Sequence, residues 1–268
     1  MKILAVETAT AWQSVAILND CGVLASHGQK AAGTHGASLL PAIDCLLLQT
    51  GLMLTQLDGL ACSIGPGSFT GIRVGVATCL GLRDATGLPL ALVPTLEAMA
   101  WNMRESAKTM CPVLLCRKGE VYWAMFRWNQ NGLERVVGER VGSPEALGQS
   151  LTAGTIIFGE GWLLNEDRIR QSIPPSVPIL GGRADAGTPS AVSVGLLGRE
   201  RLRRGEVAAG AVMPQYVQRA EAELQYEQSG GLSPVARRQE RVARKMGARL
   251  ARFRPAAGRS GKDKHSNG

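Results

Sequence analysis

A glycine-rich turn is the feature of this chain best suited to chemistry. The turn, 65–71 (GPGSFTG), stands between a buried strand pattern and a stretch of helix formers. Backbone amides at the start of a helix can hold an anion, and glycines let another chain come close. The turn lacks the Gly-Lys-Ser/Thr of a Walker loop and the spacing of a dinucleotide fingerprint. The alternative is a capping turn in which Gly65, Gly67 and Gly71 supply positive φ.

The histidines and cysteines form no metal-binding pattern. The chain has three histidines, His27, His35 and His265, and no pair has the helical spacing that places two imidazoles on one face. We interpret His35 as a loop or capping residue, with ligand binding as the alternative. The six cysteines lie mostly in apolar runs without Cys-x-x-Cys pairs, which indicates reduced thiols in a cytosolic protein. The sequence therefore predicts no metal site.

The elements that position the glycine turn alternate between strands and helices. Three strands are predicted first, and helix, strand, helix, strand and helix follow. Their predicted ranges are 2–7, 14–18, 22–27, 38–50, 60–64, 72–83, 89–93 and 95–104. Thr95 is expected to cap the last of these helices.

The second half repeats this order. Strands, a helix capped by Ser143, a further strand, a turn at 159–161, a short last strand and a final helix are predicted. Their ranges are 112–116, 121–128, 133–141, 143–150, 155–158, 178–180 and 190–203. Two lobes with one topology predict the α/β architecture of actin, sugar kinases and Hsp70 ATPases.

Charge separates a neutral body from a basic extension. The 268 residues are 45% apolar and carry a net charge of +8, and all of that excess lies after residue 226. We predict an N-terminal lobe over 1–105, a second lobe over 106–216, whose helix 190–203 can pack back on the first lobe, and a partly disordered extension over 217–268. No apolar run reaches the length of about 18 residues that a membrane helix needs. A cytoplasmic protein is expected.

The extension has a helical pattern with an apolar face surrounded by basic residues, and it ends in a segment expected to be disordered. Such a segment can bind RNA phosphates, or it can be solvated or docked on a partner protein. The RNA-binding candidates are Arg237, Arg238, Arg241, Arg244, Lys245, Arg249 and Arg252.

The run from Gly65 to Gly75 resembles the signature of the TsaB (YeaZ) and TsaD family. The stretches 3–10, 35–43, 88–98 and 214–216 agree with the TsaB branch. The agreement is dense to about residue 100, thin to residue 213 and absent beyond. This resemblance implies the actin-like fold and a part in making threonylcarbamoyladenosine next to the anticodon of tRNAs that read ANN codons.

The resemblance also implies that this chain does not catalyse the transfer. TsaD is similar to a metal-dependent transferase with a His-x-x-x-His helix after the glycine turn, and the corresponding stretch here, 95–104, has no histidine. We therefore expect a pseudoenzyme that acts as a scaffold and activator of TsaD. In the family the ATPase subunit TsaE joins this pair, a separate synthase supplies threonylcarbamoyl-AMP, and tRNA binds through the complex.

In this family two helices of the first lobe pack on the equivalent helices of TsaD, and similar surfaces can form a TsaB homodimer. The matching helices here are 38–50 and 72–83, and the alternative is that their apolar faces serve only the chain's own core. The residues predicted for this interface are Leu39, Leu40, Ile43, Leu47, Phe69, Gly71, Arg73, Val74, Gly75, Val76 and Leu80.

Glu7 ends the first predicted strand, where actin-like ATPases place a catalytic aspartate near phosphate and magnesium. The longer side chain and the glycine-free segment 8–10 leave phosphate less room. We expect no intrinsic cofactor, with ATP or ADP bound within the complex. The candidates for nucleotide contact in this chain are Glu7, Thr8, Gly65 and Gly67.

Two other classes of function compete with the scaffold. A peptidase would need His-Glu-x-x-His or a Ser/His/Asp grouping, and neither is evident. A small-molecule kinase would need an acidic base and phosphate loops in both lobes, for which 159–161 alone is insufficient. An RNA-binding accessory protein acting through the basic extension is the second class.

Overall fold

The structure is a computed structural model, and it describes residues 1–31, 35–103, 106–117, 119–130, 132–182, 187–210, 212–215 and 217. The predicted RNA-binding residues of the basic extension lie outside these ranges, as does the side chain of His35. Within them, no helix is both long and apolar enough to cross a membrane.

The first lobe is a five-stranded mixed sheet with helices on both faces. Its strands are β1 (Ile3–Glu7), β2 (Trp12–Asn19), β3 (Gly22–Lys30), β4 (Gly59–Ser63) and β5 (Leu90–Val93). Its helices are α1 (His35–Thr50), α2 (Phe69–Thr86) and α3 (Thr95–Trp101). The sheet order is β3-β2-β1-β4-β5, in which β1 runs antiparallel to β2 and parallel to β4.

The second lobe repeats this topology. Its strands are β6 (Met110–Leu115), β7 (Val121–Asn129), β8 (Gly132–Gly142), β9 (Ile156–Phe158) and β10 (Leu180–Gly181). Its helices are α4 (Pro144–Ser150), α5 (Glu160–Leu163), α6 (Glu166–Ser172) and α7 (Ala191–Arg203). The sheet order β8-β7-β6-β9-β10 matches that of the first lobe strand for strand. The predicted two-lobed, actin-like α/β fold is confirmed, whereas α5 and α6 were not predicted.

Burial on both faces explains why β1 is apolar along almost its whole length. Leu4 and Val6 belong to a core shared with α1 and α2, whereas Ile3 and Ala5 belong to a core shared with α7. A strand covered on both faces has no solvent side, so its sequence does not alternate. Glu7 is the single charged residue of this strand, and it is fully buried.

The last helix of each lobe packs on the sheet of the other. Helix α7 lies on β1, β2, β4 and β5, where side chains at Gly195 and Gly198 would overlap Leu18 and Ala61. Helix α3 contributes Leu96 to a core that contains Phe126 and Phe158 of the second lobe. This exchange gives the two lobes continuous apolar contact.

An ion-pair network adds to this contact between the lobes. The Glu97 carboxylate of α3 lies 2.9 Å from Arg135 of β8 and 2.8 Å from Arg201 of α7. Arg135 also pairs with Glu139 at 3.2 Å. Helix α3, strand β8 and helix α7 therefore meet at one partly buried carboxylate.

Two helix caps were predicted, and one of them is wrong. Ser143 caps α4, because its hydroxyl accepts a hydrogen bond from the Ala146 amide. Thr95 does not cap α3: it is the first helical residue, Pro94 holds the cap position, and the Thr95 amide donates to the Gly65 carbonyl. The Thr95 hydroxyl is buried just after the end of β5, without a hydrogen-bond partner among the described residues.

Candidate functional site

The glycine turn, residues 65–71, connects β4 to α2 as a capping turn. The Ser68 hydroxyl accepts a hydrogen bond from the Gly71 amide at 3.2 Å and so caps α2. Gly65 and Gly67 have φ of +107° and +155°, as the capping interpretation predicted. Gly71 does not have positive φ, because it lies within the helix, so that part of the interpretation is wrong.

The β1–β2 turn of this chain leaves no room for a side chain at Gly67, Gly71 or Gly75. A Cβ at Gly67 would overlap the Ala9 carbonyl oxygen, and one at Gly71 would overlap the Thr8 carbonyl oxygen. At Gly75 a Cβ would meet the Thr8 hydroxyl. The close approach expected of another chain is thus made within the molecule.

Two amides at the contact between the β1–β2 turn and the glycine turn already donate hydrogen bonds within the chain. The Ser68 amide donates to the Ala9 carbonyl at 2.6 Å, and the Ala9 amide donates to Glu7 Oε1 at 2.5 Å. An anion at this point would lose both donors and would face a buried carboxyl group. Of the nucleotide candidates, Glu7, Thr8 and Gly67 lie at this contact, and their binding of a nucleotide stays a prediction.

Gly65 contacts the closing segment of the body. The Gln215 amide donates to the Ile64 carbonyl at 2.8 Å, and a Cβ at Gly65 would lie 2.9 Å from the Gln215 carbonyl oxygen. The stretch at 214–215 that supported the family resemblance therefore packs directly on the glycine turn.

Glu7 is the centre of a buried polar cluster at the carboxyl ends of β1, β4 and β5. Glu7 Oε2 and the hydroxyls of Thr8 and Thr95 are buried without a hydrogen-bond partner among the described residues. The buried Ser63 hydroxyl interacts with the Glu7 carboxyl group. Burial raises the pKa of Glu7 to about 7, against the opposing effects of the Ala9 amide, the Ser63 hydroxyl and the Thr8 amide. We call these four residues the Glu7 cluster.

A cleft of about 700 Å³ opens between the lobes and was not predicted from the sequence. The exposed ring of Trp12 forms part of its wall on the first lobe, and Leu163 and Leu164 do so on the second. The remaining lining residues are Thr10, Ala11, Lys30, Leu114, Glu160, Gly187, Thr188, Pro189 and Ser190.

Helices α1 and α2 pack against each other, and each exposes apolar or small residues to solvent. Leu40 and Leu48 of α1 are 54% and 77% exposed. On α2, Ala77 and Gly81 are exposed, and a Cβ at Gly81 would meet no atom within 4 Å. Arg73 lies 3.7 Å above the Phe69 ring at the start of the helix. We call this surface, Leu40, Leu48, Phe69, Arg73, Ala77 and Gly81, the α1/α2 face.

Comparison with known proteins identifies the family. The family model described as "TsaD: tRNA N6-adenosine threonylcarbamoyltransferase" matches residues 24–158, half of the chain. An Escherichia coli protein named "tRNA threonylcarbamoyladenosine biosynthesis protein TsaB" is 36% identical over 169 residues, which cover 60% of this chain and 72% of that protein. The chain belongs to the TsaB family.

Further TsaB relatives extend the similarity along the chain. A Bacillus subtilis protein, also named as a TsaB biosynthesis protein, is 26% identical over 238 residues, 85% of this chain and 99% of that protein. A solved structure described as "YeaZ from Pseudomonas aeruginosa" has a TM-score of 0.66 at 27% identity and covers 82% of this chain and 98% of its own. A second Pseudomonas aeruginosa structure, described as having "similarity to peptidase YEAZ", has a TM-score of 0.69 at 28% identity, with 81% and 99% covered.

The structure narrows the set of interface residues predicted from the TsaB and TsaD resemblance. Leu39, Ile43, Gly71, Gly75 and Val76 are buried in the chain's own core, so they do not contribute surface to a partner. Leu40 and Arg73 are exposed, and Leu47, Phe69, Val74 and Leu80 are partly buried. Leu48 was missed, although three consecutive leucines at 46–48 cannot all face one core.

The described residues of this TsaB-family chain contain no group of three His, Cys, Asp or Glu side chains that could hold a metal ion. His27 is exposed on β3, with its Nε2 3.4 Å from Gln29 Oε1. His265 and the His35 side chain lie outside the described part of the chain.

Proposed function

We propose that this chain is a non-catalytic subunit of the tRNA N6-threonylcarbamoyladenosine synthase. It binds a TsaD-type transferase through the α1/α2 face and supports threonylcarbamoyl transfer to the adenosine next to the anticodon. Two findings support this role: the relatives are named for this biosynthesis, and the stretch 95–104 lacks the paired histidines of the transferase. The reaction is expected in the cytoplasm.

The α1/α2 face is the observation that carries the proposal. Leu40 and Leu48 lie about two helical turns apart on α1, and more than half of each side chain is exposed to water. On the neighbouring helix α2, the exposed Ala77 and Gly81 lie one turn apart and add almost no bulk. Protruding leucines next to a surface of small residues allow a partner's helices to pack closely.

Use of ATP or ADP belongs to the partners in this proposal. The Ala9 and Ser68 amides are engaged within the chain, which supports a body without its own phosphate site. TsaE is the expected ATPase subunit, and tRNA reaches this chain through the assembled complex. The same α1/α2 face can pair two copies of the chain when TsaD is absent.

A matched pair of leucine variants tests the interface. Leu48→Asp should weaken the affinity for TsaD by about 30-fold or more, because a charge would be buried at the centre of the contact. Leu180→Asp, at a residue that is 43% exposed on the second lobe, is the control and should leave the affinity unchanged. The affinity is measured by calorimetry, after circular dichroism has established that both variants fold. Equal affinities for the two variants would contradict the interface.

Transfer assays test the role itself. TsaD alone, this chain alone and the two together receive tRNA and threonylcarbamoyl-AMP. Activity that requires both proteins is expected. Activity of this chain alone would contradict the non-catalytic role, and no effect in any mixture would favour the RNA-binding alternative through the basic extension.

A further inference from the structure

Three hydrogen bonds in series connect Glu7 to the start of α2. Glu7 Oε1 accepts from the Ala9 amide at 2.5 Å, and the Ala9 carbonyl accepts from the Ser68 amide at 2.6 Å. The Ser68 hydroxyl then accepts from the Gly71 amide at 3.2 Å and caps the helix. A change at the carboxyl group can therefore reach the first turn of α2 through two residues.

Steric contact makes this connection stiff. The carbonyl groups of Thr8 and Ala9 lie where a side chain at Gly71 or Gly67 would be, so the β1–β2 turn is seated against the glycine turn without a gap. If the β1–β2 turn moves outward, it breaks the Ala9–Ser68 hydrogen bond and removes support from the start of α2. Phe69 and Arg73 of the α1/α2 face lie on that first part of the helix.

We propose that Glu7 is a positioning residue: its neutral carboxyl group holds the β1–β2 turn against α2, and its ionisation loosens that contact and weakens binding at the α1/α2 face. The identity of the partner rests on the proposed function. The loosening of the β1–β2 turn is independent of the proposed function, and it can be measured in the isolated chain.

The surroundings of Glu7 suit a neutral carboxyl group. Glu7 is fully buried, and Oε2 has no hydrogen-bond partner among the described residues. A protonated Oε2 can donate to a hydroxyl of the Glu7 cluster. An ionised carboxylate would keep the hydrogen bonds of the Ala9 amide and the Ser63 hydroxyl, but it would be a fully buried charge with no cation of the described residues beside it. The ionised form is therefore stabilised by access to water, which requires that the β1–β2 turn move.

The groups around Glu7 are neutral, so Glu7 is the group of this cluster that titrates near neutral pH. Ser14 of β2 pairs with it in the sheet, and the Ala191 amide of α7 donates to the Ser14 hydroxyl. Ser63 lies on β4, as does Cys62, whose thiol interacts with Cys79 of α2. The hydrogen bond with Cys79 and burial raise the pKa of Cys62 well above its usual range, so this thiol stays neutral. No charged side chain of the described residues sets the pKa of Glu7.

Hydrogen exchange in the isolated chain tests the loosening. After correction for intrinsic exchange, protection of the amides of Ala9, Ser68 and Gly71 should fall about tenfold between pH 6 and pH 8. Glu7→Gln, which keeps the shape and cannot ionise, should remove this dependence. Glu145→Gln, at an exposed carboxyl paired with Arg168 in the second lobe, is the control and should keep it. Identical behaviour of wild type and Glu7→Gln would overturn the proposal.

A second variant covers the case in which Glu7→Gln does not fold. Since the Ser63 hydroxyl lowers the pKa of Glu7, Ser63→Ala should move the midpoint of the protection loss to higher pH without abolishing it. A midpoint that stays in place would contradict a titration of Glu7.

The affinity for TsaD tests the link to the α1/α2 face. The wild-type affinity should weaken about threefold from pH 6.5 to pH 8.5, and that of Glu7→Gln should not follow pH. Protection that changes while affinity stays constant in both proteins would overturn the positioning role. Absence of TsaD binding at every pH, with the protection change intact, would instead contradict the proposed function.

Discussion

In the first lobe the turn after β4 leads into α2, a helix of 18 residues, whereas in the second lobe the turn after β9 leads into α5 and α6, of four and seven residues. Both turns press glycines against the lobe's first strand or the turn that follows it. Gly71 lies against the Thr8 carbonyl, and Gly159 lies against the Val113 carbonyl of β6. Close glycine contact therefore belongs to the repeated topology.

What differs between the lobes is the chemistry at this contact. The first strand of the first lobe ends in the buried carboxyl of Glu7, whereas β6 ends in Leu115, which is partly open to solvent. Among the described residues, the turn after β4 leads into a long helix with exposed small and apolar residues, and the turn after β9 leads into two short helices. The topology shared by the two lobes thus explains the close contact at the glycine turn. The same topology does not require the Glu7 cluster or the α1/α2 face.

The largest effect is expected for the pH dependence that Glu7 gives the first lobe. Burial raises its pKa from the ordinary value of 4.5 to about 7 in the folded chain, so the neutral form favours folding and stability is lost as pH rises from 4.5 through 7. From pH 5 to pH 8 the loss relative to Glu7→Gln should be about 2.5 kcal/mol. Urea unfolding of both proteins across this range measures it. Parallel stability curves would contradict a buried, titrating Glu7.

A glycine substitution in each lobe examines the shared contact. Gly71→Ala and Gly161→Ala should each cost about 1–3 kcal/mol, because the new methyl groups meet Thr8 and Leu114 backbone atoms. Thermal unfolding measures both. After allowance for the folded fraction, only Gly71→Ala should also weaken TsaD binding. An equal loss of affinity in the two variants would show that the lobes are not distinct in this respect.

The network at Glu97 tests how firmly the two lobes are joined. Glu97→Gln removes the charge that Arg135 and Arg201 share, and we expect a loss of about 1 kcal/mol in unfolding free energy. Glu166→Gln is a suitable control, because it breaks an exposed pair with Arg170 inside α6. If both variants lose the same stability, the network has no special part in joining the lobes.

The smallest effect on stability is expected at Gly81, on the same helix as Gly71. Gly81→Ala should stabilise the chain by about 0.5–1 kcal/mol, since the site is open and alanine favours a helix. The same change should weaken TsaD binding, because it adds bulk to the α1/α2 face. Unfolding and calorimetry on one preparation measure both quantities, and tighter binding would argue against close helix packing there.

The order of strands and helices could be predicted from the sequence, because in most elements the hydrophobic period agrees with the turn and capping residues at the ends. The apolar stripe from residue 39 ends at Gly51, and α1 ends at Thr50. Ser143 precedes a proline and caps α4 as expected. Repetition of this order in both halves led directly to the fold.

The details of the site needed three-dimensional contacts. Gly71 could not be assigned to close packing without the position of Thr8, which is distant in sequence and adjacent in space. The exposure of Leu48 could not be predicted, because three consecutive leucines stand at 46–48 and the hydrophobic period does not decide which of them faces solvent. Helices α5 and α6 are too short to show a period. Glu7 was located at the end of β1, but its unpartnered oxygen is a property of the packed structure.

The exchange of last helices between the lobes bears on how the chain is made. During synthesis the first sheet exposes the Ile3, Ala5 and Ala61 side of its strands until α7, some 130 residues after β4, has emerged. Contacts of such sequence separation form late and slowly. A chain cut between 103 and 106 should therefore give two fragments that aggregate when made alone and restore a folded protein when made together.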